Sequence, residues 1–588
     1  MVKKVFFLSI IAAVFALGMN ACSDGDPNPK PNPTPDEELS RLEDQPSSET
    51  LSALFNTASG FPANLSDCWK VWGHHNALIT QGFGADPTAL PYKDRLYIFS
   101  SNDTLLYTNG VVDQAGTYGG GIQGLRVLSS ADMVNWTDHG LINVGDEPQW
   151  TNPLYPMGTP VTPFKTRSWA PSAVMKRIDG KDKFFVYFAN SGNGIGVISA
   201  DGPTGPWTSP LNKLLIDRDT PNCASVNSLF DPGVFVDRDN KAYMYFGGGD
   251  NGADTGNGRR VRLGDDMTSL IGDPEIWTAP YLFEDNEFTR IGDLYYYSYV
   301  TNGAANGSTA TMGLQTYQIA YMTSEAPMAP MNEFSKPKGI MRSPQAQFNT
   351  PDENNHHCIF QFKDQYYITY HASRVAQTLG LGLKYRSTMI DKITVNGIGE
   401  ISTITMTRKG VDQIAKFDPY LQNEAETIGI QGGCFTRPES GAGNGMLVTS
   451  IDTGDWIAVY GVDFGSEGAK KITVRVRTPD NADYTGAIEI RLDPTGDGVV
   501  ADNGNPNMNN PARIKGGEVV GRIQIKAKAG EAGKYATVTA DLDKTVTGEH
   551  DLVFVFYSSL GAKPITKANL LESHHKNGFE FDRWKFEK

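Results

Sequence analysis

One short phrase recurs along this chain and limits its fold more than any other feature: a polar turn feeding an aromatic strand. It reads Lys93-Asp94-Arg95-Leu96-Tyr97-Ile98-Phe99, then Lys181-Asp182-Lys183-Phe184-Phe185-Val186-Tyr187. It returns as Asp239-Asn240-Lys241-Ala242-Tyr243-Met244-Tyr245-Phe246, as Gly292-Asp293-Leu294-Tyr295-Tyr296-Tyr297, and as Lys363-Asp364-Gln365-Tyr366-Tyr367-Ile368-Thr369-Tyr370. The five copies lie about 50 to 90 residues apart, each a hairpin turn leading into a strand. A supersecondary unit repeated at such a period marks a propeller or a solenoid. Helical periodicity is weak throughout, so the sequence predicts an all-β fold built on a five-bladed β-propeller with four-stranded blades.

At 588 residues the chain exceeds what one core serves. Past Tyr420 the texture changes to short strands with frequent turn signals, such as Lys471-Ile472-Thr473-Val474-Arg475-Val476 and Asp551-Leu552-Val553-Phe554-Val555-Phe556. That spacing without helices predicts a β-sandwich, jelly-roll-like, over residues 421–588, with the propeller over 61–418. Residues 1–22 read as a signal: Lys3 and Lys4 lead an apolar run from Val5 to Leu17, which is short for a membrane span. The segment resembles a bacterial lipoprotein signal, which implies lipidation at Cys22 and an outer-membrane anchor. Residues 23–60 open with Pro-rich sequence and continue acidic and Ser-rich, the composition of an extended tether. Its acidic start, Ser23-Asp24-Gly25-Asp26, resembles a surface-export tag and implies display on the cell exterior.

A net charge of −15 argues against nucleic acid, which is held by clustered Lys and Arg. It leaves a neutral glycan open, and nothing in the sequence calls for more than a monomer. Cys68, Cys223, Cys358 and Cys434 are scattered with no zinc spacing and read as free buried thiols.

A propeller gathers the inner strands of its blades around one axis, so acids near their starts converge. Three acids sit there: Asp86 in Gly84-Ala85-Asp86-Pro87, Asp231 in Leu229-Phe230-Asp231-Pro232, and Glu284 in Phe283-Glu284-Asp285-Asn286. Each alone reads as a turn opener or a solvated loop residue. At matching places in three repeats they read as a catalytic set, with Glu287 the rival of Glu284.

With Ser168-Trp169-Ala170-Pro171 opening the second blade, Asp231-Pro232-Gly233-Val234-Phe235-Val236-Asp237 the third, and Asn355-His356-His357 and Tyr370-His371 marking the fifth, residues 80 to 415 resemble the family 43 glycoside hydrolases. The resemblance implies an inverting hydrolase with Asp86 as general base, Glu284 as general acid and Asp231 raising the pKa of the acid. The chemistry is consistent. Inversion needs one ionised carboxylate for water and one protonated acid across the sugar, and a like charge nearby keeps the acid protonated. His356 or His357 at the axis stands either beside a calcium ion, as the resemblance implies, or as a hydrogen-bonded core residue. Arg374 and Arg386 read as holding sugar hydroxyls or as structural ion pairs. Trp69, Trp72 and Trp169 read as sugar platforms or core.

Residues 421–588 resemble the family 6 carbohydrate-binding modules through Glu424-Ala425-Glu426, Asp455-Trp456-Ile457 and Phe581-Asp582-Arg583-Trp584. That likeness implies a structural calcium held by Glu424, Glu426 and Asp582, whose oxygens suit a hard cation. The glycan-stacking positions depart from the pattern, with Tyr535 where Trp is frequent and Phe581 where Asn is expected. The module is therefore either a glycan binder or a buttress for the propeller. The two likenesses together imply release of a pentose, α-L-arabinofuranose first, from plant cell-wall arabinoxylan. β-Xylosidase, endo-arabinanase and exo-galactosidase activities stand as alternatives, and a non-catalytic surface glycan-binding lipoprotein is the alternative of another class.

Overall fold

The computed structural model describes residues 65–588, apart from 104–106, 109–110, 113–121, 123, 146–158, 250–251, 254–255, 351–353, 382–384, 440–444, 481–482, 498–512, 528–529, 531 and 561–577. The signal segment, Cys22 and the tether lie outside the described residues.

The recurring phrase forms the second strand of each of five antiparallel blades. Blade I runs Ala85–Tyr92, Arg95–Ser101, Leu125–Ser130, Trp136–Ile142, and blade II runs Trp169–Ile178, Lys181–Ala189, Ile195–Ala200. Blade III runs Gly233–Val236, Ala242–Phe246, Gly258–Leu263, Leu270–Trp277. Blade IV runs Leu282–Ile291, Leu294–Thr301, Ile319–Ser324, Lys338–Met341, and blade V runs His357–Phe362, Gln365–Ala372, Ser387–Lys392. The innermost strands touch in ring order, I to II to III to IV to V and back to I, which closes a five-bladed propeller. Among the described residues blades II and V have three strands rather than the four expected.

The turn chemistry explains the local structure. In blades I, II, IV and V, two residues join the first and second strands, with Lys93, Asp179, Gly292 and Lys363 at positive φ. Such primed turns twist in the sense that paired strands require. The second strands are flanked on both faces by neighbouring blades, so Leu294–Thr301 is buried along nearly its whole length rather than alternating.

The ring is closed by chain from the N-terminal side. Leu78 N donates to Thr388 O (3.0 Å) and Gly84 N to Arg386 O (3.0 Å) along the outer strand of blade V. Asn76 stands in for a strand residue there: Ile390 N donates to its Oδ1 (2.8 Å) and its Nδ2 donates to Ile390 O (3.0 Å).

The C-terminal region forms two facing sheets. One contains Phe435–Pro438, Met446–Thr449, Glu580–Glu587, Ala469–Arg477 and Tyr535–Val546; the other contains Ile430–Gly432, Trp456–Asp463, Glu549–Ser558, Thr485–Leu492 and Glu518–Lys526. Val474, Ile490, Phe554 and Trp584 belong to the core between them. The sandwich is fastened to blade I. Thr427–Ile428 adds to the outer edge of that blade by pairing with Trp136–Ile142, and Thr436 Oγ1 donates to Asp138 Oδ2 (2.7 Å). Asn135 and the Tyr460 backbone exchange two hydrogen bonds, at 2.8 and 2.9 Å. Among the described residues Cys68, Cys223, Cys358 and Cys434 are buried thiols that form no disulfide. Among the described residues no helix is long and apolar enough to cross a membrane.

Candidate active site

The inner strands of blades I to IV begin with a kink. Asp86, Ala170, Asp231 and Asp285 all hold positive φ, between 40° and 64°. In blades I, II and IV the strand register slips at that point. A bulge of this kind turns side chains off the strand's regular alternation and re-aims them at the axis. It also corrects the sequence reading in one respect. The acid of blade IV that matches Asp86 and Asp231 is Asp285; Glu284 stands one place earlier, at the position held by Ala85, Trp169 and Phe230.

The kinks bring Asp86, Asp231 and Glu284 onto one cavity of about 90 Å³, with Trp169, His356 and Arg386 also in its wall. Single water molecules need far less room. Glu287, the rival acid, is buried in the same strand but does not line this cavity.

Asp86 is held as an anion. Arg386 Nη1 lies 2.9 Å from its Oδ1, and the Ser101 hydroxyl donates to its Oδ2 at 2.7 Å. Burial pulls its carboxyl upward, but the Arg386 charge, then His356, His371 and the Ser101 hydrogen bond, bring it down to about 2. Arg386 is itself gripped by Asp103 through Nε and Nη2, at 2.8 and 3.1 Å.

Glu284 has the opposite environment. Burial, then the negative charges of Asp231, Asp86 and Asp285, hold its carboxyl well above the usual range, against a weaker pull from Arg386. Burial raises Asp231 as well, while the backbone N–H of Asp285, 2.9 Å from its Oδ2, favours its ionised form. The charges of Asp86 and Asp285 raise Asp231 further, so both carboxyls of this buried pair are biased towards holding a proton.

His356 sits among three of these acids, with Nδ1 3.8 Å from Asp86 Oδ1 and 3.9 Å from Asp231 Oδ2, and Nε2 3.1 Å from Asp285 Oδ1. Next to it, His357 is a core residue: its Nδ1 and backbone N–H both bond Asp285 Oδ2, and the Ser298 hydroxyl lies 2.8 Å from its Nε2. Burial lowers the His357 imidazole to about 3.

Other candidates lie elsewhere. Arg374 lines a separate cavity with Trp69, Lys70 and His74, and hydrogen-bonds Gln377. Trp72 packs on Trp456 and Tyr460 where the sandwich meets the propeller. Trp169 alone of these three tryptophans reaches the acidic cavity. Sequence reasoning missed Ser101, Asp103 and Asn354, which carry no local motif, and gave no role to Asp285 although it lies in the motif around Glu284.

In the sandwich, Glu424, Glu426 and Asp582 neighbour one another. Burial and then Asp582 raise the Glu424 carboxyl; burial and then Glu424 raise that of Glu426. Glu426 Oε2 is buried with no hydrogen-bond partner, which suits an oxygen awaiting a hard cation. Asp582 is bonded by Arg475 Nη1 at 2.6 Å, and among the described residues no three His, Cys, Asp or Glu side chains close on one point.

Comparison with known proteins decides the family. The profile of the glycosyl hydrolases family 43 matches residues 76–399, and that of the family 6 carbohydrate binding module matches residues 424–565. The chain belongs to glycoside hydrolase family 43. It is 37% identical over 552 residues to an arabinoxylan arabinofuranohydrolase of Bacillus subtilis, covering 91% of this chain and 97% of the relative. A second arabinoxylan arabinofuranohydrolase, from Paenibacillus polymyxa, is 38% identical over 502 residues, 83% of this chain and 73% of the relative. The crystal structure of a Bacillus subtilis family 43 arabinoxylan arabinofuranohydrolase, in complex with cellotetraose, superimposes with a TM-score of 0.75 at 37% identity. That match covers 89% of this chain and 99% of the other. As a family 43 member the chain is an inverting glycoside hydrolase.

Proposed function

We propose that this enzyme removes α-L-arabinofuranose from arabinoxylan, with Asp86 as base and Glu284 as acid. The observation that carries this reading is the pairing of two oppositely biased carboxylates, Asp86 drawn down to about 2 and Glu284 held up, on one small cavity. Two arabinoxylan arabinofuranohydrolases that share more than a third of its residues supply the substrate class.

The steps follow from the side chains. Asp86 takes a proton from a water molecule, whose oxygen bonds to the anomeric carbon. The bond from that carbon to the xylan oxygen breaks with its electron pair going to oxygen. Glu284 gives its proton to the leaving oxygen. Asp231, anionic beside Glu284, keeps that proton in place until transfer.

Outside the catalytic cavity, the reading includes a lipid anchor at Cys22, display on the outside of the outer membrane, and calcium held by Glu424, Glu426 and Asp582 in the sandwich. A second calcium, water-shelled beside His356, belongs to the same proposal. The signal-like composition around Cys22 and the orphaned Glu426 oxygen support these points. Cys22→Ser should release the protein from membranes on cell fractionation, and retention would remove the anchor from the account.

The test is arabinoxylan digestion with product analysis. Arabinose without xylose is expected, and Glu284→Ala should cut the rate about 100-fold or more. Xylose as the released sugar would replace the substrate assignment, and an unchanged rate in the variant would remove Glu284 from the acid role.

A further inference from the structure

Blade V contributes no carboxylate at the place where blades I, III and IV carry Asp86, Asp231 and Asp285. At the entry to its inner strand it places His356 and Asn354 on the cavity, and Asn354 is the one that reaches Glu284. This one residue touches Glu284 directly and reaches Asp86 through Arg386. Its Nδ2 donates to Glu284 Oε1 at 2.5 Å, and its Oδ1 accepts from Arg386 Nη1 at 2.8 Å. The same Nη1 is 2.9 Å from Asp86 Oδ1. A second route runs through the backbone. His371 Nε2 lies 3.3 Å from Asn354 O, and its Nδ1 accepts from Asp86 N at 3.0 Å. An imidazole that accepts at Nδ1 carries its proton on Nε2 when neutral, and burial followed by the Arg386 charge keeps this one neutral, with its pKa near 3.

The orientation of the Asn354 amide is set by its partners. Arg386 has only donors, so the atom facing it must be the amide oxygen. The NH₂ group therefore faces Glu284. A carboxylic acid has one O–H, and an oxygen already accepting from an amide N–H is poorly placed to carry that proton towards the same donor. Oε2 is left as the protonated oxygen.

We propose that Asn354 is the positioning residue that spaces acid and base across the cavity and assigns the catalytic proton to Oε2 of Glu284. This rests on the reading of Glu284 as the acid. It adds a cross-strut between blades I, IV and V to a site otherwise described by its carboxylates. The strut acts through hydrogen bonds alone, so its loss leaves Asp86 paired with Arg386 and Ser101 while Glu284 is freed to rotate.

The experiment compares two leaving groups. The xylan oxygen of arabinoxylan needs a proton to depart; the phenolate of a dinitrophenyl α-L-arabinofuranoside does not. Asn354→Ala and the near-isosteric Asn354→Asp, which keeps an acceptor for Arg386 but replaces the NH₂, are assayed on both substrates beside Glu284→Ala, with melting temperatures checking the fold. Both Asn354 variants should lose about 10-fold to 100-fold in kcat on arabinoxylan and within about threefold on the aryl glycoside, with KM little changed. Glu284→Ala should show the same split, more steeply. If Glu284→Ala shows the split and the Asn354 variants lose equally on both substrates, or only in KM, the strut is overturned and the acid assignment stands. If Glu284→Ala shows no split, the acid assignment fails and the proposal with it.

Discussion

At the residue scale, the site works by giving carboxylates opposite surroundings within one small cavity. Asp86 is paired with the Arg386 cation and the Ser101 hydroxyl; Glu284 is ringed by other acids. Arg386 is the largest influence pulling Asp86 down, and the signs follow from that. A carboxyl depressed to about 2 stays largely ionised above that pH, while the stability it lends is whole above the usual carboxylate range and is lost as pH falls from there through about 2. Arg386→Met removes the cation but leaves the burial, so Asp86 rises. The acidic limb of the kcat/KM profile should move to higher pH, and an unmoved limb would show that Arg386 does not set the base. The acids themselves were legible in the sequence because Asp86, Asp231 and Glu284 each stand shortly before an aromatic strand of the repeat. Arg386 was legible only as an ambiguous cation. Asn354, Asp103 and Ser101 were not legible, because their roles arise from contacts across up to 283 residues of chain that no local spacing encodes. Arg374 shows the converse: near the fifth blade in sequence, it opens onto a different cavity.

At the element scale, the propeller was legible because a primed two-residue turn and a strand flanked on both faces leave a compositional trace each time they repeat. The kinks at the inner strand starts were not, since Asp86, Ala170, Asp231 and Asp285 share a backbone conformation rather than a residue type. The shift of the catalytic acid by one place in blade IV follows from this. Close approach of neighbouring blades is visible at Gly233, where an added Cβ would lie 1.8 Å from Asn286 O and 3.0 Å from Glu287 Cα. Backbone cannot yield there without moving the strand that carries Glu284. Gly233→Ala should therefore lower the melting temperature, at a cost of about 1–3 kcal/mol or more, and reduce kcat as well. A variant with unchanged melting and activity would mean that blades III and IV pack more loosely than described.

At the scale of the whole molecule, the sandwich is built into the propeller's edge rather than strung behind it. A strand of the linker completes blade I, and Trp456 Nε1 donates to Ser66 O at 2.9 Å on the far side of the joint. The domain change near residue 420 was plain from texture, but this fastening was not, because Thr427–Ile428 reads in sequence as part of the sandwich alone. If calcium joins Glu424, Glu426 and Asp582, chelation should lower the melting temperature while leaving turnover on arabinoxylan largely intact at low temperature. No shift in melting would remove the ion from the sandwich. The central claim is that an anionic Asp86 and a protonated Glu284 act from opposite sides of an arabinofuranosyl ring. Proton NMR of the sugar first released from arabinoxylan, recorded before mutarotation, tests it most directly. β-L-Arabinofuranose as the initial product is the predicted result, and initial release of the α-anomer would contradict the account.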